Sequence, residues 1–511
     1  MMRRIILING FIALLLVLCS YAQDTVAERM KRVEQELAPA VQIKDKASWT
    51  IQERMKYYQV QGISIAVINN FEIEWAKGYG IHNTKSGDPV AETTLFQVAS
   101  ITKPVTAAVA LMLVDRGKLE LNRDVNEYLK SWKVPENEFT QNEKVTVERL
   151  LSHSAGLTVS GFRGYAEGEQ VPTILQVLDG KPPANNAPIR VDKKPGSGFR
   201  YSGGGYTVLQ LLLEDVTGQP LSELMNEMIF KPAGMNNSTI SLPQSGPLAD
   251  QASLAFMEDG TAQKGYRFLP GGSGCCELWT TPTDLARFAI AIQKALRGDT
   301  NTVFSATMAK AMVTPHNSDN RGLGFFLRRF GAALYFSHDG GNPGFSSTLI
   351  AHADKGYGVV VTSNTNGSFG LITEIIMSAA KVYNWEGLQP EYYKYVEDLI
   401  KQFHQIKKEK PDEPKIAERS INQLGYQMLT SGKKKDAIQI FKMNVEFYPQ
   451  SANCYDSLAE AYETSGNIKA ALENYRKAIA MLDKFNEINK SFESNRETRI
   501  DKIRNLEKKL H

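Results

Sequence analysis

Cysteine and histidine are scarce in this sequence. Four of the 511 residues are cysteines (Cys19, Cys275, Cys276 and Cys454), and two of these are adjacent. Adjacent cysteines pair with each other only under strain, so the spacing favours buried or free thiols over a disulfide framework. The seven histidines are dispersed, and no two have the spacing of a metal site on a helix. The sequence therefore does not predict a metal site.

The sequence also lacks an excess of positive or negative charge. The 59 lysine and arginine residues nearly balance the 56 aspartate and glutamate residues, which gives a formal net charge of +3. This balance does not predict a surface for nucleic acid. Hydrophobic residues make up 42% of the chain and charged residues 23%, as in soluble globular proteins. A chain of this length is expected to form two or three domains.

Long apolar runs are absent after the first 22 residues. Residues 1–4 include two arginines, residues 5–18 are mostly apolar, and small residues follow at positions 20 and 22. This layout predicts a secretory signal peptide over residues 1–22 and an exported protein, periplasmic or secreted, with no spanning helix after signal removal. A membrane anchor is the alternative, but the run is shorter than the ~20 residues that a spanning helix needs. A lipoprotein signal ending at Cys19 is disfavoured by the bulky Leu18.

The region 48–385, after a lead-in segment at 23–47, is predicted to form one mixed domain. A strand is predicted at 62–68, and the alternation at 71–75 indicates a second strand with one buried and one wet face. The middle is mainly helical, and the end returns to strands, predicted at 324–327, 334–337, 347–351 and 357–362. Strands at both ends with helices between them predict an α+β fold, in which one antiparallel sheet is completed by distant segments and packed with helices.

The C-terminal part of the chain is predicted to be a separate, small all-α domain. Residues 386–415 indicate a helix and a linker, since 407–415 contain no apolar residue except two prolines. Residues 416–511 contain a 34-residue period, the tetratricopeptide period, followed by a capping helix at 490–510. Leu424-Gly425 recurs as Leu458-Ala459, and Phe441 recurs as Tyr475. An unrelated helical bundle is the alternative. Such repeats predict a surface for a protein partner.

Ser100 and Lys103 form the first candidate for chemistry. They precede Pro104 and an apolar run at 105–114 that predicts a buried helix. Because Pro104 has no N–H to donate to the carbonyl of residue 100, Ser100 is expected at the first turn, where backbone N–H groups are free and the helix end is positive. Lys103 shares a face with Ser100, and burial is expected to make it a proton acceptor. A capping serine beside a snorkelling lysine is the alternative.

Two further elements carry candidate residues. Tyr201 comes just before Gly203-Gly204-Gly205 and a predicted helix at 207–217, a placement that can present a phenol in a cleft. His338 lies at the end of a predicted strand and is followed by Gly340 and Gly341, which let a substrate approach the backbone closely. Taken singly, the tyrosine could be a core aromatic residue and the histidine a structural one.

Together the three elements resemble the serine β-lactamase and penicillin-binding-protein superfamily, whose signatures begin with S-x-x-K and include a K-T-G strand motif. The branch that they resemble most contains class C β-lactamases, DD-peptidases and related esterases. Supporting stretches lie at 75–80, 150–157 and 279–288. The likeness covers residues 62–364, with the motifs in the family's order.

The resemblance implies roles for individual residues. Ser100 would be the nucleophile, Lys103 its proton partner, and Tyr201 the second general acid or base. His338 stands where the family has lysine or histidine on the strand that faces the substrate. The backbone N–H groups of Ser100 and Gly341 would form the oxyanion hole. The mechanism would pass through an acyl-enzyme on Ser100 without a metal or an organic cofactor.

Gly203 and Gly340 are the expected substrate-binding positions. Relatives usually carry asparagine at the place of Gly203, and its loss puts β-lactam turnover in doubt. His338, neutral near pH 7, would also attract the carboxylate of a penicillin less than lysine does, unless Arg200 supplies the charge.

The sequence thus predicts a secreted serine hydrolase that cleaves small esters, amides or D-amino-acid peptides, with β-lactams as poorer substrates. The alternative is a catalytically weak penicillin-binding sensor or adaptor that recruits partners through its repeats. The expected partners are a small-molecule or peptide substrate and a protein on the repeats, with no nucleic acid.

Overall fold

The computed structural model describes residues 24–43, 48–84, 86–166, 168–240, 245–263, 268–269, 273–317, 320–409, 418–486 and 493–508. The predicted signal peptide at 1–22 lies outside these ranges. Within them, no helix combines the length and the apolar character needed to cross a membrane.

A seven-stranded antiparallel sheet forms the centre of the molecule. In order across the sheet, its strands span residues 88–89, 72–83, 62–69, 358–363, 345–352, 333–342 and 326–330. The N-terminal strands therefore pair directly with the last strands of the same domain. The α+β fold with a sheet completed by distant segments is therefore confirmed. The strands of this sheet are β2 (Gly62–Asn69), β3 (Glu72–Asn83), β4 (Asp88–Pro89), β9 (Phe326–Phe330), β10 (Ala333–Asn342), β11 (Phe345–His352) and β12 (Gly358–Ser363). Short two-stranded pairs are formed by β1 (Val41–Ile43) with β13 (Glu391–Tyr393), β5 (Phe96–Gln97) with β8 (Trp279–Thr280), and β6 (Tyr165–Ala166) with β7 (Phe268–Leu269).

The sheet is covered by helices on both faces, which explains why β2 is buried almost throughout. Successive side chains of a strand point to opposite faces. Ala66 and Ile68 enter the larger core on one face, whereas Ile65 and Val67 enter the core on the other. The helices of this domain are α1 (Val26–Gln35), α2 (Ile51–Tyr57), α3 (Thr102–Asp115), α4 (Val147–Leu151), α5 (Ile174–Asp179), α6 (Gly203–Thr217), α7 (Leu221–Met225), α8 (Lys231–Ala233), α9 (Pro247–Gln251), α10 (Ser273–Cys276), α11 (Pro282–Arg297), α12 (Ala306–Val313) and α13 (Phe369–Val382).

The hairpin between β2 and β3 shows how local sequence sets this topology. Asn70 and Phe71 both have positive φ, 52° and 62°, as the tight two-residue turn between antiparallel strands requires. The lead-in segment packs with this domain, because Val33 of α1 and Leu37 lie in the core that contains Ile65 and Val67.

The C-terminal part of the described chain is helical. Its helices are α14 (Val396–Glu409), α15 (Glu418–Thr430), α16 (Lys434–Phe447), α17 (Ala452–Ser465), α18 (Ile468–Asn486) and α19 (Glu493–Glu507). Apolar side chains of α14, including Leu399 and Phe403, share a core with α15 and α16. The helix continues to Glu409, so residues 407–409 of the predicted linker are helical. The rest of that linker lies outside the described residues, as do residues 490–492 and 509–510 of the predicted capping helix.

Candidate active site

Ser100 lies in a short 3-10 turn, Ala99–Ile101, directly before α3. Ala99 has a φ of 47°, which is unfavourable for a residue with a side chain. The turn is held by its surroundings, because the Val98 N–H donates to Leu278 O at 3.0 Å and the Val98 carbonyl accepts from the Ser347 hydroxyl, also at 3.0 Å. Backbone strain of this kind occurs preferentially at functional sites.

Lys103 is fully buried and contacts Ser100 directly. Its Nζ donates to Ser100 Oγ at 2.9 Å and to the Cys275 carbonyl oxygen at 3.0 Å. Burial lowers the pKa of Lys103, but the Tyr201 phenol and the thiols of Cys275 and Cys276 raise it, and the balance lies above the ordinary value. The role of Lys103 as the proton partner of Ser100 stays a prediction, which the direct contact between Lys103 Nζ and Ser100 Oγ supports.

Tyr201 is half-buried in front of α6, and its ring centroid lies 4.9 Å from Lys103 Nζ. The helix begins at Gly203, earlier than predicted, because the Ser202 hydroxyl caps it by accepting from the Gly205 N–H at 2.9 Å. His153 supports this arrangement. Its Nδ1 accepts from the Ser202 N–H at 3.1 Å, and its ring lies 4.4 Å from the Tyr201 ring.

His338 is buried on β10, with its ring 6.4 Å from that of Tyr201. Its Nδ1 lies 2.7 Å from the Asp339 carbonyl oxygen. Because a carbonyl only accepts, Nδ1 carries the hydrogen, and Nε2 is an acceptor with no partner among the described residues. Burial, with the charge of Lys103, lowers the pKa of His338 to about 3. The histidine is thus neutral near pH 7, as expected.

A cavity of about 360 Å³ opens beside Tyr201 and His338, and Arg321 and Phe326 line it. Sequence reasoning missed Arg321. Its guanidinium lies over the rings of Phe199 and Phe326, at 4.0 and 4.2 Å from their centroids. Burial lowers the pKa of Arg321 to about 10, and its Nε has no partner among the described residues.

Arg200 does not occupy the place that the sequence suggested for it. It forms an ion pair with Asp192, and the cation beside Tyr201 and His338 is Arg321 instead. No local pattern marks Arg321 in the sequence, because one of its two ring contacts comes from Phe199, far away in the chain.

Gly340 and Gly203 are packing positions in this structure. A Cβ at Gly340 would lie 2.0 Å from the Val98 carbonyl oxygen, so only glycine lets β10 approach the Ser100 turn. Gly203 is buried below Ser160, to whose carbonyl its N–H donates at 3.1 Å. Neither is among the residues that line the cavity, and Ser100 is not among them either, so the expected substrate contacts of Gly203 and Gly340 stay a prediction.

Gly341 lies on the part of β10 that continues past its pairing with β9. That pairing ends at Ser337, so residues 338–342 have no strand on this edge among the described strands. A Cβ at Gly341 would meet only the ring of Phe369, at 3.6 Å. The expected oxyanion hole of Ser100 and Gly341 stays a prediction.

The thiols near the site belong to Cys275 and Cys276, whose sulfur atoms lie 2.7 Å apart. Cys275, Cys276 and Cys454 are buried and form no disulfide. The Cys275 carbonyl oxygen accepts a hydrogen bond from Lys103 Nζ.

Comparisons with known proteins agree with this fold. A family described as Beta-lactamase matches residues 49–380. Among curated proteins, the unguisins hydrolase ungD' of Aspergillus campestris is 26% identical over 335 residues, which cover 62% of this chain and 61% of that protein. Protein flp of Staphylococcus aureus is 23% identical over 329 residues, 62% of either chain. The chain thus spans less than two thirds of the length of these relatives.

Solved structures show the same fold at low identity. The octameric penicillin-binding protein homologue from Pyrococcus abyssi is 22% identical, with a TM-score of 0.55 over 69% of this chain and 80% of that chain. The D-amino acid amidase from Ochrobactrum anthropi SV3 is 21% identical, with a TM-score of 0.54 over 65% of this chain and 97% of that chain. Because the family match extends over most of the chain, the protein belongs to the Beta-lactamase family.

Proposed function

We propose that this protein is an exported hydrolase that forms an acyl-enzyme on Ser100 and cleaves small esters, amides or D-amino-acid peptides. The single observation that carries the proposal is the contact of 2.9 Å between the buried Lys103 Nζ and Ser100 Oγ. A lysine amine at this distance can take the proton of the hydroxyl as Ser100 attacks.

Lys103 is proposed to accept the proton of Ser100 as the hydroxyl attacks the substrate. Tyr201, whose ring centroid lies 4.9 Å from Lys103 Nζ, is proposed to relay this proton from Lys103. Ser100 Oγ bonds to the substrate carbonyl carbon, the tetrahedral intermediate collapses, and Tyr201 returns the proton to the leaving alcohol or amine. Water then hydrolyses the acyl-enzyme. The N–H groups of Ser100 and Gly341 are proposed to hold the oxyanion, which the close approach of Gly340 to Val98 supports.

Arg321 supports a substrate that carries a carboxylate close to the scissile bond. Among the described residues that line the cavity, it stands beside the neutral His338 with no ion pair of its own. One structural relative is a D-amino acid amidase, which agrees with small amino-acid derivatives as the substrate class.

β-Lactams are proposed to be poorer substrates, and this preference now rests on Gly203 alone. Arg321 replaces the charge that His338 lacks, so the charge argument does not contribute. A side chain at Gly203 would lie 3.1 Å from the Ser160 carbonyl oxygen and 3.3 Å from the Phe162 ring, so the asparagine of relatives would not fit without movement of that loop.

The test is a comparison of kcat/KM for a chromogenic cephalosporin and a short-chain nitrophenyl ester on one preparation. The missing hydrogen-bond partner costs about 1–3 kcal/mol, so the ester is expected to be favoured by at least tenfold. A tenfold advantage for the cephalosporin would overturn the preference. Turnover of neither compound, together with no labelling by a fluorophosphonate, would favour the sensor or adaptor function instead.

The helices α15–α18 are proposed to be two tetratricopeptide-like units that bind a protein partner. Gly425 permits the close contact within the first pair, because a Cβ there would lie 2.4 Å from the Phe441 ring. In the second pair, Ala459 shares a core with Tyr475, the two positions related to the first pair by the 34-residue period.

A further inference from the structure

We propose that a cavity between α2 and α15 binds an uncharged peptide segment, which inserts one ring-sized side chain. The cavity encloses about 170 Å³ and is lined from both sides. Trp49, Arg54 and Tyr57 line it from the hydrolase, and Tyr426 and Gln427 line it from α15. It shares no lining residue with the cavity beside Tyr201 and His338, so the inference does not rest on the proposed function.

A buried network fixes the two walls of this cavity relative to each other. Glu374 of α13 is fully buried, and Arg54 donates to it at 2.7 and 2.6 Å. Gln423 of α15 donates to the same carboxylate at 2.6 Å and to the Tyr58 hydroxyl at 3.1 Å. A buried carboxylate depends on such donors, so the junction is a preformed site.

The size and walls of the cavity favour a planar ring. Its volume is close to the ~150 Å³ of an apolar protein cavity that accepts benzene. The Arg54 guanidinium lies over the rings of Trp49 and Tyr57, at 4.1 and 4.2 Å from their centroids. Guanidinium planes and aromatic rings are the groups on which a further ring stacks.

The charge of the cavity favours a neutral ligand. Arg54 is the charged residue among the lining residues in the described chain, and Glu374 already neutralises it. A carboxylate or an ammonium group placed here would lose hydration without gaining an opposite charge.

The remaining polar groups favour a peptide. Gln427 is 7% exposed, and the side-chain carbonyl oxygens of Gln423 and Gln427 have no hydrogen-bond partner among the described residues. Buried acceptors without partners are uncommon in folded proteins. A side-chain amide both donates and accepts, as a peptide group does, so a neutral peptide segment satisfies it.

The probe for the test is N-acetyl-L-phenylalaninamide, which has one ring, two amide groups and no charge. Binding to the full-length Ser100→Ala protein, which lacks the proposed nucleophile, is measured by saturation-transfer NMR, in which the signals of the probe also report any hydrolysis. We expect a Kd on the order of 1 mM, typical of so small a ligand. N-acetylglycinamide, N-acetyl-L-phenylalanine and L-phenylalaninamide should each bind at least tenfold more weakly, because they lack the ring or carry a charge.

Two variants locate the binding site. Gln427→Leu removes the amide at similar size, and Tyr57→Ala removes a half-exposed ring with little risk to folding. Each should weaken binding by about tenfold. Gln405→Leu, which removes an exposed amide on α14 that bonds to Glu409, is the matched control and should change nothing. Equal binding of the glycine and phenylalanine probes, or unchanged binding in both cavity variants, would overturn the proposal.

Discussion

At the scale of single residues, the candidate site combines two basic side chains with a neutral imidazole ring. Lys103 donates to the Ser100 hydroxyl and to the Cys275 carbonyl oxygen, and it forms no ion pair with a carboxylate of the described chain. His338 adds a neutral ring whose Nε2 has no partner among the described residues. Arg321 adds a second cation between two aromatic rings. The site therefore favours negative charge, in the substrate and in the transition state.

His338 is expected to make stability depend on pH. Its pKa in the folded protein, about 3, is below the ordinary value of 6.5, so the unfolded chain takes up the proton first. Stability should be complete above pH 6.5 and fall as the pH drops from 6.5 towards 3. At pH 5 the loss from this residue is about 2 kcal/mol.

Urea unfolding at pH 7 and pH 5 measures this effect. His338→Gln, which cannot take up a proton, should lose about 2 kcal/mol less than the native protein between these values. An identical loss in both proteins would show that His338 is not the residue responsible.

Arg321 is expected to select substrates with a carboxylate. Arg321→Gln should raise KM about tenfold or more for a peptide with a free C-terminal carboxylate, because a charge-assisted hydrogen bond contributes roughly 1.5–3 kcal/mol. KM for the same peptide as its C-terminal amide should change little. Steady-state kinetics on both peptides measure this, with Arg200→Gln as the matched control. An equal effect on both peptides would exclude the assignment.

At the scale of elements, β10 brings the chemistry together by its closeness to the Ser100 turn. Gly340→Ala places a methyl group 2.0 Å from the Val98 carbonyl oxygen, whereas Gly341→Ala meets only the Phe369 ring at 3.6 Å. Both substitutions add one methyl to adjacent positions of one strand. Comparison of the two variants therefore distinguishes a specific need for glycine at Gly340, where β10 contacts Val98, from the general cost of adding a methyl group to β10.

We expect Gly340→Ala to lower the free energy of unfolding by about 1–3 kcal/mol, the usual cost of overpacking, and to reduce ester turnover strongly. For Gly341→Ala, the free energy of unfolding should stay within about 1 kcal/mol of the native value, because a carbon contact at 3.6 Å is an ordinary van der Waals contact. Chemical denaturation and ester hydrolysis measure both. Equal destabilisation by the two substitutions would contradict the packing argument.

The strands of the sheet are the feature of the structure that the sequence predicts best. Alternation and apolar runs indicated the strands around Ile65, Trp75 and Ser347, since these signals are local. The positive φ of Ala99 was not predictable, because distant residues hold that turn through Val98. The contact of Arg321 with Phe199 and the contacts of Lys103 with Tyr201 and Cys275 likewise join residues far apart in sequence. Motif resemblance supplied the candidate residues, whereas tertiary contacts decided their protonation and their neighbours.

At the scale of the whole molecule, the C-terminal helices contact the hydrolase at a buried point. Gln423 completes the hydrogen bonds of Glu374, and Val41 of β1 shares a core with α14 and α15. All proposed catalytic residues nevertheless precede α14. The helices should therefore contribute to stability more than to chemistry.

A chain that ends at Glu409 tests this division. Its kcat/KM for a small ester should stay within about threefold of the full-length value. Its Tm should fall by several degrees, since exposed apolar surface and a lost donor to Glu374 cost on the order of 1–3 kcal/mol. Loss of turnover in a truncated protein that remains folded would show that the helices complete the active site.

The covalent role of Ser100 is the central claim, and fluorophosphonate labelling tests it most directly. Intact-mass analysis of the full-length protein should show one added phosphonyl group, and peptide mapping should place it on Ser100. Ser100→Ala should keep the far-ultraviolet circular dichroism spectrum and the Tm of the native protein, yet take up no label and hydrolyse no ester. Labelling at another residue, or undiminished turnover in Ser100→Ala, would contradict the account.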